Sequence, residues 1–556
     1  MENKNIFTDL HCHTALKPTF NSEKTPNMWV FSDNPHPDEF LHFFNLFKRL
    51  GLRKMHDTFA SYTQTNLEAC AKGNLRLLVI TLYPIERGYV SRKSFGSILT
   101  AFLTLFVKGG KWYSYTSKKL ALLKAVIQSL VGISPAKIDE MWHEQRRRRN
   151  YVDYYADYKK ELGYTINAQQ TRSTDSKYAS QQFKLVNNWE EYKTSKANNV
   201  ICGIITAEGV HSFGEYRVKH LFSRRSVDGL NTSNQKRFKE TMVANIADAK
   251  TSNYPPFFIT MSHHFNNLVS GHCKSFTFPM TAFFNQKGGR NRGLSQFGKE
   301  LITQHLLQRN PRRILIDVKH MSIKTRLEYY QIVRHMQNEG DSVPIIWSHS
   351  AINGFKDMRS ASRARDNKKL NKHSYISRWD VNMTDTDILE TFDSDGLIGI
   401  LMHDGRMPGK VFTDRFKKAK TKAEQNKLHV QMFLTNVYHI VRVIHEQRGQ
   451  NGWKIITLGS DADGIVDPFD NFNTADKLPK FQNCVWEYLK GYEQLQSDIR
   501  IVDVYNQDKK LSITKFQELN QGMSPEQITE AIFSKNLENF LAKYFTEEYL
   551  TGTAAT

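Results

Sequence analysis

The sequence predicts an α/β protein: a (β/α)8 TIM-like barrel with a large, mostly helical insertion. Three observations carry this. Eight short, β-rich apolar runs recur along the 556 residues, at 6–10, 77–82, 200–206, 257–261, 314–318, 343–347, 397–401 and 455–458. Longer helical or irregular segments separate them, and continuous apolar strands alternating with helices are the pattern of a parallel sheet closing into a barrel. Ligand-type side chains stand at or just beyond the runs: His11 and His13, Glu208, His263, His320, His349, His403 and Asp461. That end of the strands is where such barrels build their sites.

Taken in order, the first run follows a polar start, Met1-Glu2-Asn3-Lys4-Asn5, with no apolar leader. Between the second and third runs, residues 90–199 exceed what a minimal barrel needs and read as a helical lobe, so the barrel is expected from 1–89 with 200–556. A second, highly charged addition at 357–372 reads as a mobile loop over the end of the sixth strand. Near the C-terminus, Ser524-Pro525-Glu526-Gln527 is a helix start with Pro at its first position and Gln completing a capping box. Ile528, Ile532 and Phe540 then give that helix an apolar stripe.

Composition narrows the function classes. Lys plus Arg is 77 and Asp plus Glu 56, a net +21, which admits anionic partners. The densest basic run, Arg146 to Arg149, stands beside a Tyr-rich segment that reads as a solvated helix face, and no zinc finger or aromatic RNA-binding motif accompanies it, so nucleic acid is not the expected partner. Five scattered cysteines without a C-x-x-C pair argue against a disulfide framework or zinc ribbon and for a reducing compartment. The most apolar stretch, 98–107, is shorter than the ~20 residues that span a bilayer. The expectation is a cytoplasmic protein without a membrane partner; a homo-oligomer is compatible with the sequence.

The strand-end residues suit metal chemistry. In His11-Cys12-His13 the two imidazoles lie two residues apart on a strand, hence on one face. Glu208 directly follows an apolar run, where a buried carboxylate needs a cation or donors. His320 and His349 close two further runs, and imidazole suits zinc and similar ions. Asp461 and Asp463 follow the eighth; a carboxylate beside activated water can take its proton and deliver it again. Each motif alone is weak, but their order at successive strand ends is specific.

These motifs resemble the membrane (renal) dipeptidase family of the metal-dependent hydrolase superfamily. The resemblance rests on Glu208-Gly209-Val210-His211-Ser212, Ser262-His263 with Asn266, Gly293 to Gly298, Ile316 to Ser322, Ser348-His349-Ser350, Asp461-Ala462-Asp463-Gly464 and Asn536. It covers both ends and most of the second half, in family order, but not 90–199. It implies a barrel holding two divalent ions, zinc foremost, and cleaving the amide bond of a dipeptide by a metal-bridging hydroxide. On it, His11, Glu208 and Asp461 would hold one ion, Glu208 bridging to a second held by His320 and His349. His263 would contact the substrate carbonyl, and Asp461 would also move the proton.

Two departures stand out. The family has H-x-D where this chain has His13, which can ligate but removes one negative charge. The family's substrate-carboxylate arginine follows the S-H-S motif, and the 357–372 addition leaves Arg363, Arg365 and Arg378 as candidates, with Arg365 taken as the substrate-binding one. Two other readings compete. A phosphoesterase of the polymerase-and-histidinol-phosphatase type shares Asp9 to Thr14 but wants His where Asp463 stands. A nucleic-acid-binding or scaffolding protein would use the basic insertion.

Overall fold

The computed structural model describes residues 6–21, 27–30, 57, 60–90, 115–144, 151–276, 280–364, 368–492, 498–502 and 509–553. Eight parallel strands succeed one another in chain order: β1 (Phe7–Cys12), β2 (Leu75–Leu82), β3 (Ile201–Glu208), β4 (Phe258–Thr260), β5 (Leu315–Asp317), β6 (Ile346–Ser350), β7 (Leu397–Ile400) and β8 (Ile456–Leu458). Each falls on one of the expected apolar runs. Closure comes just past β8, where the Asp461 amide donates to the His11 carbonyl at 2.9 Å and the His13 amide to the Ala462 carbonyl at 2.7 Å. The chain is a nearly closed (β/α)8 barrel, and the strands are buried on both faces as their unbroken apolar runs require.

One strand that joins the barrel sheet was not expected. Phe183–Leu185 adds in parallel to the outer edge of β3, pairing Phe183 with Ile201. Gly399 and Gly459 explain how β7 and β8 approach β6: a Cβ at either would lie 2.0 Å from the Ser348 carbonyl oxygen. At the C-terminus, Ser524 and Gln527 form the anticipated capping box. Asn536 then donates to the carbonyls of Trp453 and Ile456, both at 2.7 Å, pinning the closing helix to the base of β8.

Within 90–199, helices Tyr115–Val131 and Pro135–Glu144 bury Leu123, Val126, Met141 and Trp142 against Phe20, Tyr83, Tyr89, Phe265 and Phe284 from loops at the C-terminal mouth of the barrel. A buried ion network fastens them. Arg87 donates to Glu144 and Asp157 at 2.8 and 2.7 Å, and Lys137 reaches the other Asp157 oxygen at 2.8 Å. The Tyr-rich face is not solvated: Tyr154, Tyr155 and Tyr158 are buried, because helix Tyr154–Ala168 packs between the barrel and the segment Val210–Phe213. The four arginines 146–149 and the apolar stretch 98–107 lie outside the described residues. In the second addition, the described residues form helices Met358–Ala364 and Lys368–Lys372 rather than a plain loop. All five cysteines are free, and no described helix is long and apolar enough to cross a membrane.

Candidate metal centre

β1 delivers His11 from within the strand and His13 just past its end; β3 ends on Glu208; β6 carries His349. His320 and Asp461 sit three residues beyond β5 and β8, each in the left-handed backbone region, φ 64° and 57°. Non-glycine residues occupy that region uncommonly, and here it turns both side chains back over the barrel.

The six side chains converge. His13 Nε2 lies 3.1 Å from Glu208 Oε2 and 3.3 Å from Asp461 Oδ1. The other carboxylate oxygen of Glu208 faces His320 at 3.5 Å, His263 at 3.5 Å, and His11 and His349 at 3.8 Å. Asp461 also lies 3.7 Å from His11 and 3.9 Å from His349. Among the described residues, ligand atoms group within 4.8 Å as His11–His13–Glu208, Glu208–His320–His349, His11–His349–Asp461 and His263–His264–His320. Glu208 stands in two of these groups, one oxygen toward each side. Gly464 makes room, since a Cβ there would lie 2.3 Å from Asp461 Oδ1.

Outer hydrogen bonds fix which ring nitrogen faces inward. Asp317 accepts from the Ser348 hydroxyl at 2.7 Å, and also from Thr260 and two backbone amides. With its proton committed there, Ser348 Oγ accepts from His349 Nδ1 at 2.8 Å, leaving Nε2 a bare lone pair. A hydroxyl chain does the same for His11: Nδ1 meets Thr81, which meets Thr206, which donates to the Ile80 carbonyl. Glu86 accepts from His263 Nδ1 at 2.7 Å. His13 is the exception, its buried Nδ1 having no hydrogen-bond partner.

The electrostatics agree. Burial holds His11 and His349 well below the ordinary histidine range and pushes His320 down to about 3, so these rings stay neutral. Burial works against charge on Glu208, yet the surrounding imidazoles, His263 and His13 foremost, hold its carboxyl well below the usual range. His13 goes the other way, burial being outweighed by Asp461 and Glu208, to about 10. His263 is likewise raised, its burial outweighed by Glu208 and Glu86. Ring nitrogens approach in pairs, His11 to His13 at 3.2 Å and His320 to His349 at 3.3 Å. The neutral imidazoles of His11, His320 and His349, converging on the ionised Glu208, form a donor set suited to divalent zinc-like ions.

A cavity opens above the cluster, lined by His13, Glu208, His263, His320, His349 and Asp461 together with Tyr83, His264, Lys319, Val381, His403 and Arg406. Of the sequence-chosen arginines, Arg363 is exposed and Arg378 is buried away from the cavity, donating to the Asn353 carbonyl at 2.9 Å. Arg365 lies outside the described residues. Among the described residues, Lys319 and Arg406 stand in the cavity, burial pushing them down to about 8 and about 10. Glu86 also escaped the sequence reading, although its charge directly after an apolar run was the same signal that marked Glu208.

A parallel barrel with carboxylates and imidazoles converging at its C-terminal mouth is an arrangement that could hold metal ions. Residues 258–497 match the family model of membrane dipeptidase (peptidase family M19). No curated protein matches the chain. Similar solved structures include a metallo peptidase from Rhodobacter sphaeroides liganded with a phosphinate mimic of the dipeptide L-Ala-D-Ala (12% identity, TM-score 0.47, covering 97% of this chain and 99% of that one). Others are the dipeptidase AC, a metallo peptidase of family M19 (12%, 0.45, 98% and 99%), and the probable dipeptidase PvdM from Pseudomonas aeruginosa (12%, 0.42, 86% and 88%).

Proposed function

We propose that the protein is a binuclear metal-dependent dipeptidase. The observation that carries this reading is Glu208, enclosed at the barrel mouth with one oxygen toward His13 and the other toward His320 and His349. His11, His13, Glu208 and Asp461 would hold one divalent ion, and Glu208, His320 and His349 a second, zinc being the ion this donor set suits. When bound, the ions would polarise the scissile carbonyl and acidify the attacking water. The chain supplies the rest. His263, held by Glu86 and kept protonated by its two carboxylate neighbours, donates from Nε2 to the carbonyl oxygen as negative charge develops there. Asp461 is the more exposed carboxylate, 15% against 4% for Glu208, so it meets the cavity water. Burial raises its pKa, so it can take a proton from that water and return it to the leaving amine.

The helices of 90–199 would act as a lobe that narrows access to this mouth and favours small peptides. The test is metal analysis of purified protein with a screen of L,L- and L,D-dipeptides against aryl phosphates. Two ions per chain with dipeptide turnover is the expected result. Phosphate-ester turnover without dipeptide turnover would replace this reading by the phosphoesterase one.

A further inference from the structure

Among the described residues, the carboxylates lining the cavity are Glu208 and Asp461, both already engaged by the imidazole cluster, yet two cationic side chains reach the same space. Lys319 follows β5 and is 2% exposed; its ammonium contacts only the Val381 carbonyl, at 3.5 Å, among the described residues. Arg406 follows β7 and is half-buried, its guanidinium 5.6 Å from the centre of the Trp379 ring. Its backbone is fixed, its carbonyl accepting from Asn382 at 3.0 Å and its amide donating to His403 at 3.4 Å. No described carboxylate forms an ion pair with either, and the one cavity carboxylate whose charge acts on both, Asp461, is already engaged by His13. A cation taken out of water without a close partner is costly, and an anionic occupant removes the cost.

The placement indicates which part of a substrate this would be. Lys319 and Arg406 flank β6 on the wall that carries His320 and His349, across the cluster from His13. Arginine's fork matches a carboxylate in two-point fashion, and lysine adds a point charge beside it. A single α-carboxylate brings one negative charge to the two positive ones.

We propose that Lys319 and Arg406 form a two-cation subsite selecting dipeptides whose C-terminal residue is doubly anionic, an aspartate or glutamate. The inference rests on the dipeptidase reading for the rest of the substrate. Its test begins with calorimetric binding of L-aspartate, L-alanine and O-phospho-L-serine to metal-free protein. L-Aspartate should bind at least about tenfold tighter than L-alanine, and that ratio should fall about tenfold in Lys319→Met and in Arg406→Met, each cation contributing one charge-assisted contact. Lys319→Arg should retain most of the preference. Equal binding of aspartate and alanine, or a ratio untouched in both methionine variants with native melting curves, overturns the proposal. Phosphoserine binding well above aspartate overturns the acidic-residue assignment in favour of a phosphoryl group. Turnover then separates the two readings. Hydrolysis of Ala-Ala with no preference for Ala-Asp sinks the subsite and leaves the dipeptidase. Aspartate binding without turnover of any dipeptide sinks the dipeptidase and leaves the subsite.

Discussion

Ser348 touches no substrate and ligates nothing, yet replacing it by alanine should weaken one ion and spare the other. Its hydroxyl sits between His349 Nδ1 at 2.8 Å and Asp317 Oδ2 at 2.7 Å, wholly buried. Ser348→Ala strands the Nδ1–H of the buried His349, and a buried unpaired donor costs about 1–3 kcal/mol. The ring can then turn or adopt the other tautomer, carrying its proton on Nε2 where the lone pair should be. Loss of an outer partner of this kind typically costs 10–100-fold in metal affinity, which is about 1.4–2.8 kcal/mol and so agrees with the hydrogen-bond figure. Zinc titration against a chromophoric chelator reads this directly. One dissociation constant should rise by that factor while the other, on the His11 and His13 side, stays at its wild-type value. Thr260 and two amides still hold Asp317, so the fold should survive. If both ions titrate as in the wild type, His349 is not held in a ligand tautomer by this relay, and the argument from hydrogen bonds to ligand roles fails.

Three other changes bear on the same centre. Glu208→Gln should lose both ions and activity together while keeping the barrel's circular dichroism; a variant that still holds two ions per chain would refute the bridging role. His13→Asp restores a charge to the first site and should tighten that ion, whereas His13→Ala should weaken it; identical titrations of wild type and His13→Ala would remove His13 from the ligand set. Glu161, in helix Tyr154–Ala168, is driven by burial from 4.5 to about 8, with the Tyr83 amide, His13 and Asp157 facing it. Between those values the folded state keeps a proton that the unfolded state has released, so stability falls as pH rises from about 5 to 8, by up to a few kcal/mol. Melting curves of metal-free protein should therefore drop over that interval, and Glu161→Gln should flatten the drop; equal slopes would show that Glu161 does not titrate there.

The linear sequence determined the barrel because its evidence is local. A strand buried on both faces must be apolar along its whole length, so all eight barrel strands were visible as unbroken runs, and the ligand-type residues beside them could be read from position alone. His11, His13, Glu208, His320, His349 and Asp461 were found this way, and the structure brings them together. Tertiary structure decided what depends on contacts between distant segments. Phe183–Leu185 is too short to announce itself and exists because the edge of β3 was open to it. The tyrosines of 154–158 read as a solvated face in the sequence and are buried because the barrel rim lies against them. The cations that line the cavity among the described residues depend on such contacts too. They come from the ends of β5 and β7, 87 residues apart as Lys319 and Arg406, and converge only because the strands between them close into a barrel. Which nitrogen each histidine turns inward was likewise beyond the sequence, since a hydroxyl on one strand sets the tautomer of a ring through a carboxylate on the next.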